Sequence, residues 1–117
     1  MDKRNNKIDY IEFKANNLAA VKQFYTAVFD WEFTDYGPTY VSFEKSGVLG
    51  GFELTMDPII NGVLVVLHHT SLSDVKNKVI QFGGKITVDT FSFPGGYRFQ
   101  FSDPSGNELA VWSEHEQ

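Results

Sequence analysis

The sequence predicts an α+β fold: two paired β-α-β-β-β modules whose curled mixed sheets form a shared cup-shaped cavity. Three observations carry it. The apolar pattern switches between strand and helix periods in the same order twice along 117 residues. Leu18-Ala19-Ala20-Val21-Lys22 matches Leu72-Ser73-Asp74-Val75-Lys76 at an offset of 54. Each half holds one helix and a small sheet, too little to bury a core alone, so the halves pair within the chain or across a dimer. The chain reads as one domain, 1–117, with module one at about 8–56 and module two at about 62–113.

Module one begins at Ile8 to Ala15, which alternates: Ile11, Phe13 and Ala15 form one face, Tyr10, Glu12 and Lys14 the other. Asn16-Asn17 offers N-cap chemistry. Leu18, Val21, Phe24, Tyr25, Val28 and Phe29 then recur at helical spacing, ending near Asp30-Trp31. Glu32 to Tyr36, Thr39 to Lys45 and Val48 to Thr55 read as strands, with turns at Gly37-Pro38 and Ser46-Gly47. Asp57-Pro58 and Asn61-Gly62 mark the connection.

Module two repeats the plan. Val63 to His69 is β-branched and apolar, hence a strand. Ser71, with Asp74 three residues on, is a box-like helix start. Leu72, Val75, Val79 and Phe82 make the apolar stripe, and Gly83-Gly84 stops it. Lys85 to Phe93, Tyr97 to Ser102 and Glu108 to Ser113 are strands, joined through Phe93-Pro94-Gly95-Gly96 and the turn at 103–107.

Each helix needs an apolar sheet face, so Ile11 and Phe13, with Val65 and Leu67, face the helices. Phe13, Phe24, Tyr25, Phe29 and Phe82 are expected in these helix–sheet cores. The opposite faces carry Tyr10, Glu12 and Lys14 in one half and Leu64, Val66 and His68 in the other, a mixed surface suited to a partly solvated pocket. Tyr97, Phe99 and Phe101 alternate on one face, either core or pocket wall.

Composition removes several functions. Without cysteine, disulfide scaffolds, thiol catalysis and thiolate metal sites are excluded. Fifteen acidic against ten basic residues leave no phosphate-tracking stripe, so nucleic acid is not an expected partner. The longest apolar run, Val63 to Leu67, is far short of the roughly 20 residues of a membrane span. Asp2 to Lys7 is polar throughout, unlike a secretory leader, and the expected location is the cytoplasm. Eighteen aromatic residues, eleven of them Phe, suit either core packing or an aromatic-lined ligand pocket.

The chain resembles the vicinal oxygen chelate superfamily of glyoxalase I, bleomycin-resistance proteins and extradiol dioxygenases. The resemblance rests on Tyr10-Ile11-Glu12-Phe13, on Phe24 to Trp31, on Gly50-Gly51, on Phe93-Pro94-Gly95-Gly96 and on Phe101 to Leu109. It covers nearly the whole chain in the family's order and implies the paired-module fold and a homodimer. It also implies a metal held by one inward residue from each of four strands, commonly His, Glu, His and Glu. Carried over, those positions are Tyr10, Glu53, Leu64 and Ala110. One carboxylate and a phenol do not make that ligand set, so neither the family metal nor any other cofactor is expected.

The residues expected to line a ligand pocket are Tyr10, Glu12, Glu53, Leu64, His68 and Trp112. No catalytic residue is assigned, and Glu53 and His68 are the candidates. His68 and His69 point to opposite strand faces, His68 toward the pocket, so they do not chelate one ion together. His68 is either a hydrogen-bonded strand-end residue or a general base. Glu12 and Glu53 are either rim carboxylates or a pair with split pKa values. Trp112 lines the cup or covers a sheet edge, and His115 lies in a frayed tail. The reading favoured is a metal-independent protein binding a small organic compound, partly aromatic or cationic. The alternatives are a lyase or isomerase related to lactoylglutathione lyase, with a shifted metal site around Glu53 and His68 or carboxylate acid–base chemistry, and a structural dimer whose cup is filled by its own side chains.

Overall fold

In the computed structural model, which describes residues 2–117, the elements are β1 (Ile8–Ala15), α1 (Leu18–Phe29), β2 (Glu32–Asp35), β3 (Tyr40–Glu44) and β4 (Gly50–Leu54). They continue as β5 (Val63–His68), α2 (Leu72–Gln81), β6 (Lys85–Phe93), β7 (Gly96–Ser102) and β8 (Glu108–Ser113). The class is α+β, and β-α-β-β-β occurs twice. Two compact units form: Tyr10–Leu64, and residues 2–9 with Val65–Gln117. No described helix is long and apolar enough to cross a membrane.

In the unit Tyr10–Leu64 the strand order is β2-β3-β4-β1, antiparallel except for the parallel pair β4–β1. Asn17 caps α1, its side chain accepting from the Ala20 N–H at 3.0 Å. Asp30 ends it in the left-handed region, its N–H donating to the Thr26 carbonyl. Alternation sends Phe13, Val41, Phe43 and Phe52 to the helix side, where Val41, Phe43 and Phe52 are buried with Ala15. Leu18, Val21, Tyr25 and Trp31 pack on them, and the Trp31 and Phe43 rings stack 4.6 Å apart.

The helix stripe is broader than the sheet beneath it. Phe24 and Phe29, expected in the core, are 52% and 56% exposed. They flank Tyr25, with ring centroids 5.0 and 6.1 Å away, and stand off the sheet. Four strands give width for the Leu18–Val21–Tyr25 ridge alone.

In the second unit the order is β5-β8-β7-β6, with β5–β8 parallel and the others antiparallel. Ser71 Oγ accepts from the Asp74 N–H at 3.4 Å, the expected start of α2. Leu72, Phe99 and Val111 form the core, with Val75, Val79, Ile86, Tyr97 and Phe101 against them. The Tyr97–Phe99–Phe101 stripe is therefore core, and the opposite face of β7 presents Arg98 and Gln100. Phe82 is again a correction: it caps α2 beyond the sheet and is largely exposed.

The polar residues before β1 are structured. The Asn6 N–H donates to the His68 carbonyl at 2.8 Å, and the His68 N–H donates to the Lys7 carbonyl at 3.3 Å. The Asn5 amide bonds Thr70 twice, giving to its hydroxyl and taking from its N–H. The tail is not frayed either: the Leu72 N–H donates to the Gln117 carbonyl, and the His115 N–H donates to Ser113 Oγ.

Candidate functional site

The register of the first unit puts Glu12 beside Gly51 and Lys14 beside Glu53 across β1–β4, and Tyr40 beside Glu53 and Ser42 beside Gly51 across β3–β4. These residues, with Tyr10, share the face turned away from α1. Tyr10 and Tyr40 meet hydroxyl to hydroxyl at 2.6 Å, and the Tyr40 hydroxyl donates to Glu12 Oε2 at 3.2 Å. Gly51 makes room for them. A Cβ there would collide with the Tyr40 hydroxyl and lie 2.7 Å from that of Tyr10. Burial first, then the Tyr10 hydrogen bond and the Glu12 charge, push the Tyr40 phenol well above its ordinary range, so it stays protonated. Lys14 Nζ binds Glu53 Oε1 at 2.8 Å, both side chains nearly half exposed.

Of the expected lining residues, the structure thus brings Tyr10 and Glu12 into one hydrogen-bonded group. Glu53 lies on the same face but is engaged by Lys14 rather than by Glu12. Leu64 closes the unit at β5, half-buried. Tyr40 was not anticipated, although its place in the alternation of 39–45, two residues from Ser42, put it on this face.

His68 and Trp112 form a second constellation, in the other unit. They are neighbours across β5–β8, with rings edge to face at 5.0 Å. The partly solvated surface expected around Val66 and His68 is instead buried, His68 completely. The segment 2–9 and Glu114 both lie against it. His68 Nε2 bonds Glu114 Oε1 at 2.8 Å, and Asp2 Oδ2 lies 4.0 Å from the same nitrogen. Arg4 pairs with both carboxylates and stacks over the Trp112 ring at 5.7 Å. The Trp112 indole N–H donates to Asp9 Oδ2 at 2.9 Å. His68, followed by Arg4, holds Glu114 down to about 2; Arg4 does the same for Asp2. His69 Nδ1 accepts from the Ser71 N–H at the entry to α2, so the two histidines do separate.

Asp2, His68 and Glu114 have ligand atoms within 4.8 Å of one another, a spacing that would suit a metal ion. The cation between the two carboxylates is already the Arg4 guanidinium, and this group reads as a charge-paired clasp. No sequence signal marked it, because its members lie at positions 2, 4, 68 and 114.

The family model described as "Glyoxalase/Bleomycin resistance protein/Dioxygenase superfamily" matches residues 7–111. The chain belongs to this superfamily. Comparison with curated proteins gives no match. Among solved structures, the Mn(II)-bound glyoxalase from Novosphingobium aromaticivorans aligns with a TM-score of 0.70 and 25% identity, over 95% of this chain and 40% of that one. A superfamily member from Vibrio splendidus 12B01 aligns with a TM-score of 0.68 and 17% identity, over 89% and 96%. Methylmalonyl-CoA epimerase from Mycobacterium tuberculosis aligns with a TM-score of 0.70 and 7% identity, over 97% and 91%. The last two likenesses are of fold alone.

The superfamily's usual metal can be tested against the four residues at its ligand positions. Tyr10 is hydrogen-bonded to Tyr40, Glu53 is paired with Lys14, and Leu64 and Ala110 carry no donor atom. Ala110 is fully buried besides. This donor set does not fit an octahedral divalent ion.

Proposed function

We propose that this superfamily member binds a small organic molecule on the Tyr10–Glu12–Tyr40 face and does so without the family's metal. The observation that carries the reading is the fate of the first ligand position. Where the superfamily commonly places histidine, Tyr10 is hydrogen-bonded to the protonated Tyr40 phenol, which is in turn hydrogen-bonded to Glu12. Such a group orients a ligand by hydrogen bonds and supplies no Lewis acid. Gly51 supports it as well, since its missing side chain is what lets the two hydroxyls meet.

In this reading Glu53 and Leu64 flank the ligand, and His68 and Trp112 serve structure rather than binding. The partner is a small molecule, not a nucleic acid or a membrane surface. The proposed working form is a cytoplasmic homodimer, for which the exposed Phe24, Val28 and Phe29 of α1 offer an apolar face.

The test is a thermal-shift screen of small aromatic compounds in the presence of EDTA. The reading expects at least one compound to raise Tm by several degrees with EDTA present, and the shift to vanish in Tyr10→Phe/Tyr40→Phe. Shifts that appear only when Mn²⁺, Ni²⁺ or Zn²⁺ is added would contradict it.

A further inference from the structure

The clasp gathers three side chains of metal-ligand type around one guanidinium nitrogen. Arg4 Nη2 makes both carboxylate pairs, at 2.9 Å to Asp2 Oδ2 and 2.5 Å to Glu114 Oε2. Arg4 thus stands where a single cation bridges the two carboxylates, and it brings one positive charge to two negative ones. A divalent ion matches both.

The third side chain is aimed at the same place. His68 is fully buried at the end of β5, and its Nε2 lies 2.8 Å from Glu114 Oε1 and 4.0 Å from Asp2 Oδ2. Ligand atoms about 2.0–2.1 Å from a tetrahedral zinc ion stand about 3.4 Å from one another. The two distances bracket that value, so small shifts of the partly exposed Asp2 and Glu114 side chains close the set.

The other ring nitrogen leaves the exchange open. His68 Nδ1 is buried with no hydrogen-bond partner among the described residues, and a buried orphan of this kind calls for an explanation. An imidazole that ligates through Nε2 gives that lone pair and carries its proton on Nδ1. No hydrogen bond at Nδ1 holds the ring in the opposite tautomer, and none is broken when the proton moves there. Glu114 also lines an open cleft of about 680 Å³ with Thr70, Tyr97 and Glu116, from which water reaches the ion's remaining position.

We propose that Asp2, His68 and Glu114 bind a divalent transition-metal ion of the zinc class in exchange for the Arg4 guanidinium. The mixed imidazole–carboxylate set suits zinc better than calcium or magnesium, which take oxygen ligands. The Arg4 side chain is 45% exposed, and exposed ion pairs contribute little, so it gives way readily. The site is separate from the superfamily's ligand positions at Tyr10, Glu53, Leu64 and Ala110. Its ion staples residues 2–9 to the end of β5 and to the residue that follows β8.

Calorimetric titration of the EDTA-treated full chain with Zn²⁺ tests it. The expected result is one equivalent bound, unchanged in Glu53→Ala. In Asp2→Asn/Glu114→Gln the affinity is expected to fall at least about tenfold, the lower end of what even lost outer-shell partners cost. Arg4→Met, which removes the competing cation, is expected to tighten binding severalfold. Zn²⁺ is also expected to move Trp112 emission in the Trp31→Phe background, by lifting Arg4 from its place 5.7 Å over the indole, and to have no such effect once Arg4→Met is added. No binding, an affinity unmoved in Asp2→Asn/Glu114→Gln, or one weakened in Arg4→Met would overturn the proposal. Binding lost in Glu53→Ala would overturn it as well, by placing the ion at the superfamily's own position.

Discussion

Tyr10 and Tyr40, thirty residues apart in the sequence, share a 2.6 Å hydrogen bond directly above the Cα of Gly51. The pairing exists because two strands flank β4 at a position without a side chain. Ser42 and Glu12 are the neighbours of Gly51 in register, and the phenols reach across from the adjoining even-numbered positions. A glycine in a strand interior ordinarily weakens the strand; here it lets the hydroxyls meet.

Gly51→Ala therefore puts a methyl group where the two hydroxyls are. The expected cost is about 1–3 kcal/mol, as for other overpacked sites, with the ligand response lost alongside. Urea denaturation reads the first and thermal shift the second. An unchanged midpoint would mean that the phenols are not held as described.

The exposed side of α1 gives a sharp contrast in stability. Phe43→Ala removes a fully buried ring that touches Trp31, Phe13 and Phe52, and is expected to cost about 3–5 kcal/mol. Phe24→Ala, at a half-exposed position, is expected to cost well under half as much. Equal losses, measured by denaturant midpoint, would place Phe24 in the core after all.

That contrast also marks how far the sequence can be read. Periodicity located the helices and strands to within a residue or two, because a two-residue alternation in β1 and a 3.6-residue stripe in α1 are local properties. It put Phe24, Phe29 and Phe82 in the core because a stripe reports that a helix has an apolar face, not how wide a sheet will cover it. Tyr10 and Glu12 were legible from alternation and from the family's ligand position. Tyr40 lay on a strand that had been located, but its partnership with Tyr10 depends on the β3–β4–β1 order. The Asp2–Arg4–His68–Glu114 clasp depends on pairing between residues up to 110 apart, which no local pattern carries.

The clasp makes a prediction about pH. In the folded protein Glu114 and Asp2 are held down to about 2, from ordinary values of 4.5 and 3.8. A carboxylate with a lowered folded pKa stabilises the native state above its unfolded pKa, and that contribution is lost as pH falls toward the folded value. Urea midpoints are expected to decline between about pH 4.5 and 2, and to decline less steeply in an Asp2→Asn/Glu114→Gln variant. Identical slopes would show that these carboxylates are not paired in the folded state.

Trp112 reports on the same region. Asp9→Asn is expected to weaken the indole hydrogen bond, and Arg4→Met to remove the cation over its ring while keeping much of the stem's apolar contact. Both changes are expected to shift Trp112 emission in a Trp31→Phe background, in which Trp112 is the remaining tryptophan. An emission maximum unmoved by either substitution would separate residues 2–9 from the Trp112 ring.

The central claim is that a scaffold shared with a Mn(II)-bound glyoxalase works here without the family's ion. Calorimetric titration of the purified, EDTA-treated protein with Mn²⁺, Ni²⁺ and Zn²⁺, repeated on Glu53→Ala, tests it most directly. The account predicts no stoichiometric binding that depends on Glu53, and ligand-induced stabilisation that is the same with or without the ions. One equivalent of metal bound by the wild type and lost in Glu53→Ala would contradict it.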